Sequence, residues 1–272
     1  MGSRAAVTGS RDGQPTGAAD KGECRGGTMH RSGLIARLER HLALTEEERA
    51  AISRAEQREI RLKPGEILMA EGGTSHALFV VHYGWLHSAA RLAAGGRQIL
   101  RFHYAGDLIG TSSIAWSQAS ATLTAVSDCT VTELPKADLG QIFRQQPRLA
   151  GLLYAIAAAE NVAMSDRLTS IGRKGAAERL TTLLLDILAR LRVTAGGVID
   201  SFDLPLTQSD IGDALGLTKV HVNRTIRALE RDGVIERNGR RVRILDPELQ
   251  MRRTGFVDRY GEIETAWLPP AP

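Results

Sequence analysis

At 272 residues, 43% hydrophobic and 24% charged, the chain is long enough to bury two modest cores. Its net charge of +4 is too small to argue for a polyanionic partner unless the basic residues cluster. No apolar run approaches a membrane span, the longest candidate being Leu152 to Ala159, and no charged-then-apolar leader opens the chain, so a cytoplasmic protein without a membrane partner is expected.

Residues 1–32 are rich in Gly, Ala, Ser, Thr and Asp and nearly devoid of apolar residues. Such a stretch cannot offset the entropy of ordering, so a disordered tail is predicted there. A short amphipathic helix follows (Leu34, Ile35, Leu38), and Thr45 with Glu48 forms a capping box that opens a second helix toward Arg58. Between Ile60 and Leu134, ALFVVHYGWL, RQILRFHY and ATLTAVSDCTVTEL are enriched in β-branched and aromatic residues, with turn residues between them. Many short strands at this spacing predict a barrel or roll. After Pro147 a long helix begins, with Leu149, Leu152, Ile156, Ala159 and Ala163 near a three-four spacing. That stripe reads as a helix-pairing seam or, alternatively, as a face packed on the chain's own strands. Gly172 is the expected hinge after it.

The segment from Leu206 to Leu245 is the most informative. Thr207 stands at a helix N-cap with Asp210 three residues on, followed by Ile211, Ala214 and Leu215 at helical spacing. Gly216 supplies a sharp turn, and Thr218 caps a second helix running to about Asp232. On it Val222, Ile226 and Leu229 should face inward, leaving Lys219, Val220, Asn223, Arg224 and Arg227 outward. Val234 to Leu245 then alternates apolar and charged residues about Asn238-Gly239, a two-residue hairpin signal. Between Lys219 and Arg243 there are eight Lys or Arg against three acids. Two short helices, a tight turn and a basic hairpin together point to a unit that reads double-stranded DNA. The alternative is a ligand-binding or protein-docking module whose winged helix recruits a partner protein; the arginine-rich hairpin speaks against it, because docking faces are more often aromatic or apolar at their centre.

This run resembles the winged helix-turn-helix of the Crp/Fnr transcription regulators, and LTKVHVNRTIRAL resembles the subgroup common in rhizobia and related alphaproteobacteria. Upstream, Gly65 in KPGE, Gly84 in HYGW, Gly95-Gly96 before RQIL, and Gly106 and Gly110 in AGDLIG fall where that family's β-roll places its turns. The resemblance implies an α+β fold with a cyclic-nucleotide-binding-like β-roll at 33–146, a dimerisation helix and hinge at 147–172, a winged helix-turn-helix at 173–247 and a C-terminal tail at 248–272. It further implies a homodimer on a palindromic promoter site, with RNA polymerase as a partner if the protein is an activator. Related regulators often begin near HRSGLIARLERH, which makes Met29 the expected native start. The family's base-contact positions fall on Lys219, Val220, Asn223 and Arg224, and its backbone-contact positions on Thr207, Gln208, Ser209, Thr218 and Arg240, with His221 able to join either group. Many relatives carry Glu where Val220 stands; valine has no acceptor and suits a thymine methyl instead.

In relatives that bind cyclic AMP, a Glu holds the ribose and an Arg-Ser pair the phosphate. Here Thr111 takes the Glu position and Ala119-Ser120 the Arg-Ser pair, so cyclic AMP is not expected. Thr111, Ser112 and Ser120 remain a candidate effector pocket for something neutral, although hydroxyls capping turns would account for them. An iron–sulfur cluster needs about four cysteine ligands, and the chain has Cys24 and Cys129 alone. One exposed and one buried thiol are expected, with a regulatory disulfide as the alternative. His82, His87 and His103 are candidate haem ligands, but nothing in their spacing favours that, and no cofactor or metal is expected. The chain has no GxxxxGK, HExxH, GxSxG or paired cysteine knuckles, and no enzyme is expected.

Overall fold

The computed structural model describes residues 32–195 and 199–271. The expected N-terminal tail, the Met29 start and Cys24 lie outside them. Helix α1 (Gly33–Leu38) is capped by Ser32, whose Oγ accepts from the Ile35 amide at 3.4 Å. Helix α2 (Glu46–Ala55) opens on the predicted capping box, with Glu48 N–H to Thr45 Oγ1 at 3.2 Å and Thr45 N–H to Glu48 Oε2 at 2.8 Å. It stops short of Arg58 because the Gln57 amide already donates to Glu133 O (2.8 Å), which draws the chain into a sheet.

The strands that follow are β1 (Glu59–Leu62), β2 (Ile67–Met69), β3 (Ala77–Tyr83), β4 (Leu86–Arg91), β5 (Arg97–His103), β6 (Leu108–Ile109), β7 (Thr122–Ala125) and β8 (Cys129–Pro135). They form two antiparallel sheets, ordered β1-β8-β3-β6 and β2-β7-β4-β5. Met69, Phe79, Val81, Leu86, Ile109, Leu123 and Val131 form one buried apolar cluster contributed by both sheets. All six glycines read from the sequence as turn positions have positive φ. Gly84 shows why: its φ is +85°, and a Cβ there would lie 2.1 Å from Asp128 O.

Helices α3 (Lys136–Gln145), α4 (Pro147–Arg173) and α5 (Ala176–Ala195) come next. Leu149, Leu152 and Ile156 of α4 are buried together with Leu34, Leu38, Ile52, Leu78, Val80 and Leu134. The stripe that could have been a pairing seam is therefore committed to the protomer's own core, with Ala159 and Ala163 half-buried on its flank. The exposed face is a different one, carrying Tyr154, Ala158, Asn161, Ser165, Leu168 and Gly172. Gly172, expected as the hinge, is helical. It lies inside the last turn of α4, and the helix breaks at Lys174, where the backbone turns extended (φ −95°, ψ 156°).

The C-terminal half contains β9 (Ser201–Asp203), α6 (Gln208–Leu215), α7 (Lys219–Arg231), β10 (Ile235–Asn238), β11 (Arg241–Ile244) and α8 (Pro247–Thr254). Leu180, Leu184, Ile187 and Leu188 of α5 pack with Ile211, Leu215, Val222, Ile226 and Leu229. Ile99, Phe102 and Tyr104 belong to the same cluster, so β5 and the residue after it close one side of it.

Candidate nucleic-acid interface

Helix α6 begins as its sequence predicts. Thr207 N–H donates to Asp210 Oδ2 at 2.8 Å and Asp210 N–H to Thr207 Oγ1 at 3.1 Å. Gly216 caps its end in the left-handed region at φ 66°. Sequence reasoning missed Gly212. A Cβ there would stand 2.5 Å from Leu217 O, the carbonyl at the turn between α6 and α7. A glycine inside a helical pattern was the available signal.

Thr218 caps α7, accepting from the His221 amide at 3.3 Å. Val222, Ile226 and Leu229 are buried, while Lys219, Val220, His221, Arg224 and Arg227 are exposed and Asn223 is half-buried. Val220 is 71% exposed, which is unusual for valine and leaves an apolar group on an otherwise polar surface. The side chains of Lys219, Arg224, Arg227 and Arg240 have no hydrogen-bond or ion-pair partner among the described residues.

The hairpin pairs Asn238 with Arg241, so its two turn residues are Gly239 and Arg240, one residue later than Asn238-Gly239. Gly239 supplies the positive φ (59°) and Arg240 stands at the tip. Sequence reasoning also missed β9, which pairs with β11 through Val242↔Phe202 and makes the hairpin a three-stranded sheet. Ile235, Val242 and Ile244 face inward. The remaining four arginines hold surface partners: Arg237 with Glu230 at 3.3 Å, Arg243 with Asp200 at 3.2 Å, Arg231 with Asp232 at 3.0 Å, and Arg241, which donates to Ser201 Oγ at 2.9 Å. Such surface pairs contribute little and exchange readily for phosphate. Of the predicted backbone-contact residues, Thr207, Ser209, Thr218, His221 and Arg240 are exposed and Gln208 is half-buried. A helix with an open, partner-free basic face beside an arginine hairpin has the shape and charge to enter a major groove while the hairpin lies on the backbone.

A sequence model described as the Crp-like helix-turn-helix domain matches residues 178–249, and one described as the cyclic nucleotide-binding domain matches residues 59–146. The transcriptional activator protein FnrA of Stutzerimonas stutzeri is 31% identical over 185 residues, covering 68% of this chain and 75% of that protein. The chain belongs to the Crp/Fnr family. It is also 30% identical, over 70% of its length and 79% of theirs, to the nitrogen fixation regulation protein FixK of Bradyrhizobium diazoefficiens. The solved structure of FixK2 from Bradyrhizobium japonicum aligns with a TM-score of 0.65 at 28% identity, covering 72% of this chain and 96% of that one. A Crp/Fnr chain is a DNA-binding transcription regulator, and the matched relatives are regulators rather than enzymes.

In the β-roll of this Crp/Fnr chain, the expected effector positions Thr111, Ser112, Ala119 and Ser120 carry no cationic side chain. Ala119, where binding relatives carry arginine, is buried, and its amide and carbonyl pair with Gly73 O (2.8 Å) and the Gly72 amide (2.9 Å). Ser120 Oγ lies 3.1 Å from Ser112 Oγ and 3.2 Å from Ser113 Oγ, and the Lys136 ammonium is engaged by Ser113 O and Trp116 O. The hydroxyls satisfy one another. Thr111 is half-buried in the 3-10 turn Thr111–Ser113 that opens at Gly110.

The three candidate haem histidines are already engaged on separate strands or buried. His82 Nε2 sits 2.8 Å from Thr132 Oγ1 and 3.0 Å from Glu56 Oε2. His87 lies under Arg97, and burial and then that guanidinium depress its pKa to about 4. His103 is depressed to about 3, again by burial first and Arg101 next. Among the described residues no group of three or more His, Cys, Asp or Glu is placed to hold a metal. The Cys129 thiol is buried within reach of two acceptors, Trp85 O (3.0 Å) and Ser127 O (3.2 Å), for its one proton; burial pushes its pKa up, the opposite of what a reactive thiolate needs.

Proposed function

We propose that this regulator works in the cytoplasm as a homodimer on a palindromic promoter site, and that cyclic AMP is not its effector. The observation that carries the dimer is the free face of α4. Tyr154, Asn161 and Leu168 recur every seven residues, interleaved with Ala158, Ser165 and Gly172, and all six are exposed in the protomer. A sustained seven-residue repeat with small residues at alternate positions is what two helices need to pair closely. Leu168 is 73% exposed and Tyr154 71%, a cost that pairing would remove.

On this reading the β-roll spans 33–146, the pairing helix 147–172, the DNA-binding module 173–247 and a terminal segment 248–272. Lys219, Val220, Asn223 and Arg224 of α7 meet base edges, with Arg224 bidentate to a guanine and Val220 against a thymine methyl. Thr207, Gln208, Ser209, Thr218, His221 and Arg240 hold phosphates and set register. Ser112 and Ser120 hold each other's hydroxyls; a neutral effector at Thr111, Ser112 and Ser120 would have to displace that contact. RNA polymerase becomes a partner where the bound site lies upstream of a promoter. Sedimentation of the wild type and Leu168→Asp tests the pairing face: the wild type should run as a dimer and the variant as a folded monomer. A wild-type monomer, or a variant that still pairs, contradicts it.

A further inference from the structure

The sequence gives the last residues no role, yet 255–271 cross from the DNA-binding module back to the β-roll. The chain leaves α8 through Gly255 (φ 64°), and Phe256 packs on the core shared by α5, α6 and α7. Arg259 then pairs with Asp166 of α4 at 2.8 Å. Tyr260 is 8% exposed; its hydroxyl donates to Asp186 of α5 at 2.9 Å, and the Arg190 guanidinium lies 4.6 Å from its ring centroid. Arg190 belongs to α5 but pairs with Asp107 of the β-roll, so Tyr260 covers an ion pair that joins the two modules. Finally Ile263 and Leu268 pack into the cluster of Leu34, Leu149 and Leu152, which belongs to the β-roll and α4. Leu268 has a built seat: a Cβ on Gly151 would stand 2.5 Å from its Cδ2.

The modules are otherwise joined covalently only through the break at Lys174 and Gly175 between α4 and α5. A second attachment, anchored by Phe256 at one end and Leu268 at the other, closes a loop across that break, adds to the contact β5 already makes with α5 and α6, and raises the effective concentration of each module at the other. We propose that residues 255–271 are an intramolecular latch that holds the DNA-binding module against the β-roll and thereby sets the direction in which α7 points. The inference does not depend on the pairing face of α4.

Two full-chain variants test it. Leu268→Asp removes the anchor, and Gly151→Leu fills its seat while improving the helix propensity of α4. Amide hydrogen exchange is followed at the module boundary, around 174–175 and on β5, and at two internal references, β3 with β8 and β10 with β11. The latch predicts that exchange at the boundary rises at least about tenfold in both variants while the references hold. Unchanged exchange at the boundary overturns the proposal. Equal acceleration at boundary and references also overturns it, since Leu268 would then be one more core residue.

Discussion

Acid should lower the folding stability through His87, which lies where the β-roll meets the DNA-binding module. The ring sits on β4 with 3% exposure, Nε2 lies 3.0 Å from Arg97 Nη1 and Nδ1 has no partner. Facing a guanidinium, Nε2 must accept and the imidazole is neutral. The rest of Arg97 holds Asp210 at 2.6 Å and Asp213 at 2.8 Å, both on α6. Burial and then Arg97 lower the pKa from 6.5 to about 4, with the two aspartates acting weakly in the other direction. A depressed histidine takes its proton more easily in the unfolded chain, so its contribution to stability is complete above pH 6.5, declines as pH falls through the window to 4, and is flat below. At pH 5 the loss is about 2 kcal/mol, with a ceiling of about 3.4 kcal/mol. Urea unfolding at pH 7.5 and 5.0 measures it, with His87→Gln supplying Arg97 with a neutral acceptor. The wild type should lose about 2 kcal/mol more than the variant between these pH values. His103 titrates in both proteins and cancels in the difference. Equal losses would refute the assignment of a neutral, buried His87.

Arg224→Ala should cost about 1–3 kcal/mol at one base position of the preferred site, whereas Arg240→Ala should weaken all sequences alike; titration against specific and random duplexes separates the two, and equal loss on both for Arg224→Ala contradicts its base contact. Gly84→Ala meets Asp128 O at 2.1 Å in a left-handed turn, so thermal unfolding should show a loss of more than about 1 kcal/mol, against a near-neutral outcome if the turn relaxes.

What the sequence made legible is what neighbouring residues decide. Both capping boxes, the glycine turns and the inward row Val222, Ile226 and Leu229 depend on spacings of three or four residues. The face of α4 is different. Two stripes, Leu149-Leu152-Ile156 and Tyr154-Asn161-Leu168, run along one helix, and which one turns inward is decided by α1, α2 and the sheets more than a dozen residues away. Gly172 looked like a hinge, but helix tolerates one glycine at modest cost, and the break fell two residues later. The hairpin turn falls one residue later than Asn238-Gly239 because Asn238 itself pairs with Arg241, and β11 also pairs with β9, whose three residues carry no strand signal of their own. The terminal segment was opaque for the same reason as the Arg97 and Arg190 clusters: each joins residues distant in sequence, through contacts no local pattern encodes.

Helix α7 and its hairpin should read a specific sequence as one half of a symmetric pair. Selection of bound duplexes from a random pool, using purified protein without added ligand at near-physiological salt, tests it most directly. A palindrome whose half-sites lie about one helical turn apart should be enriched. No enrichment, either with pure protein or after addition of extract from the source cell, would contradict it.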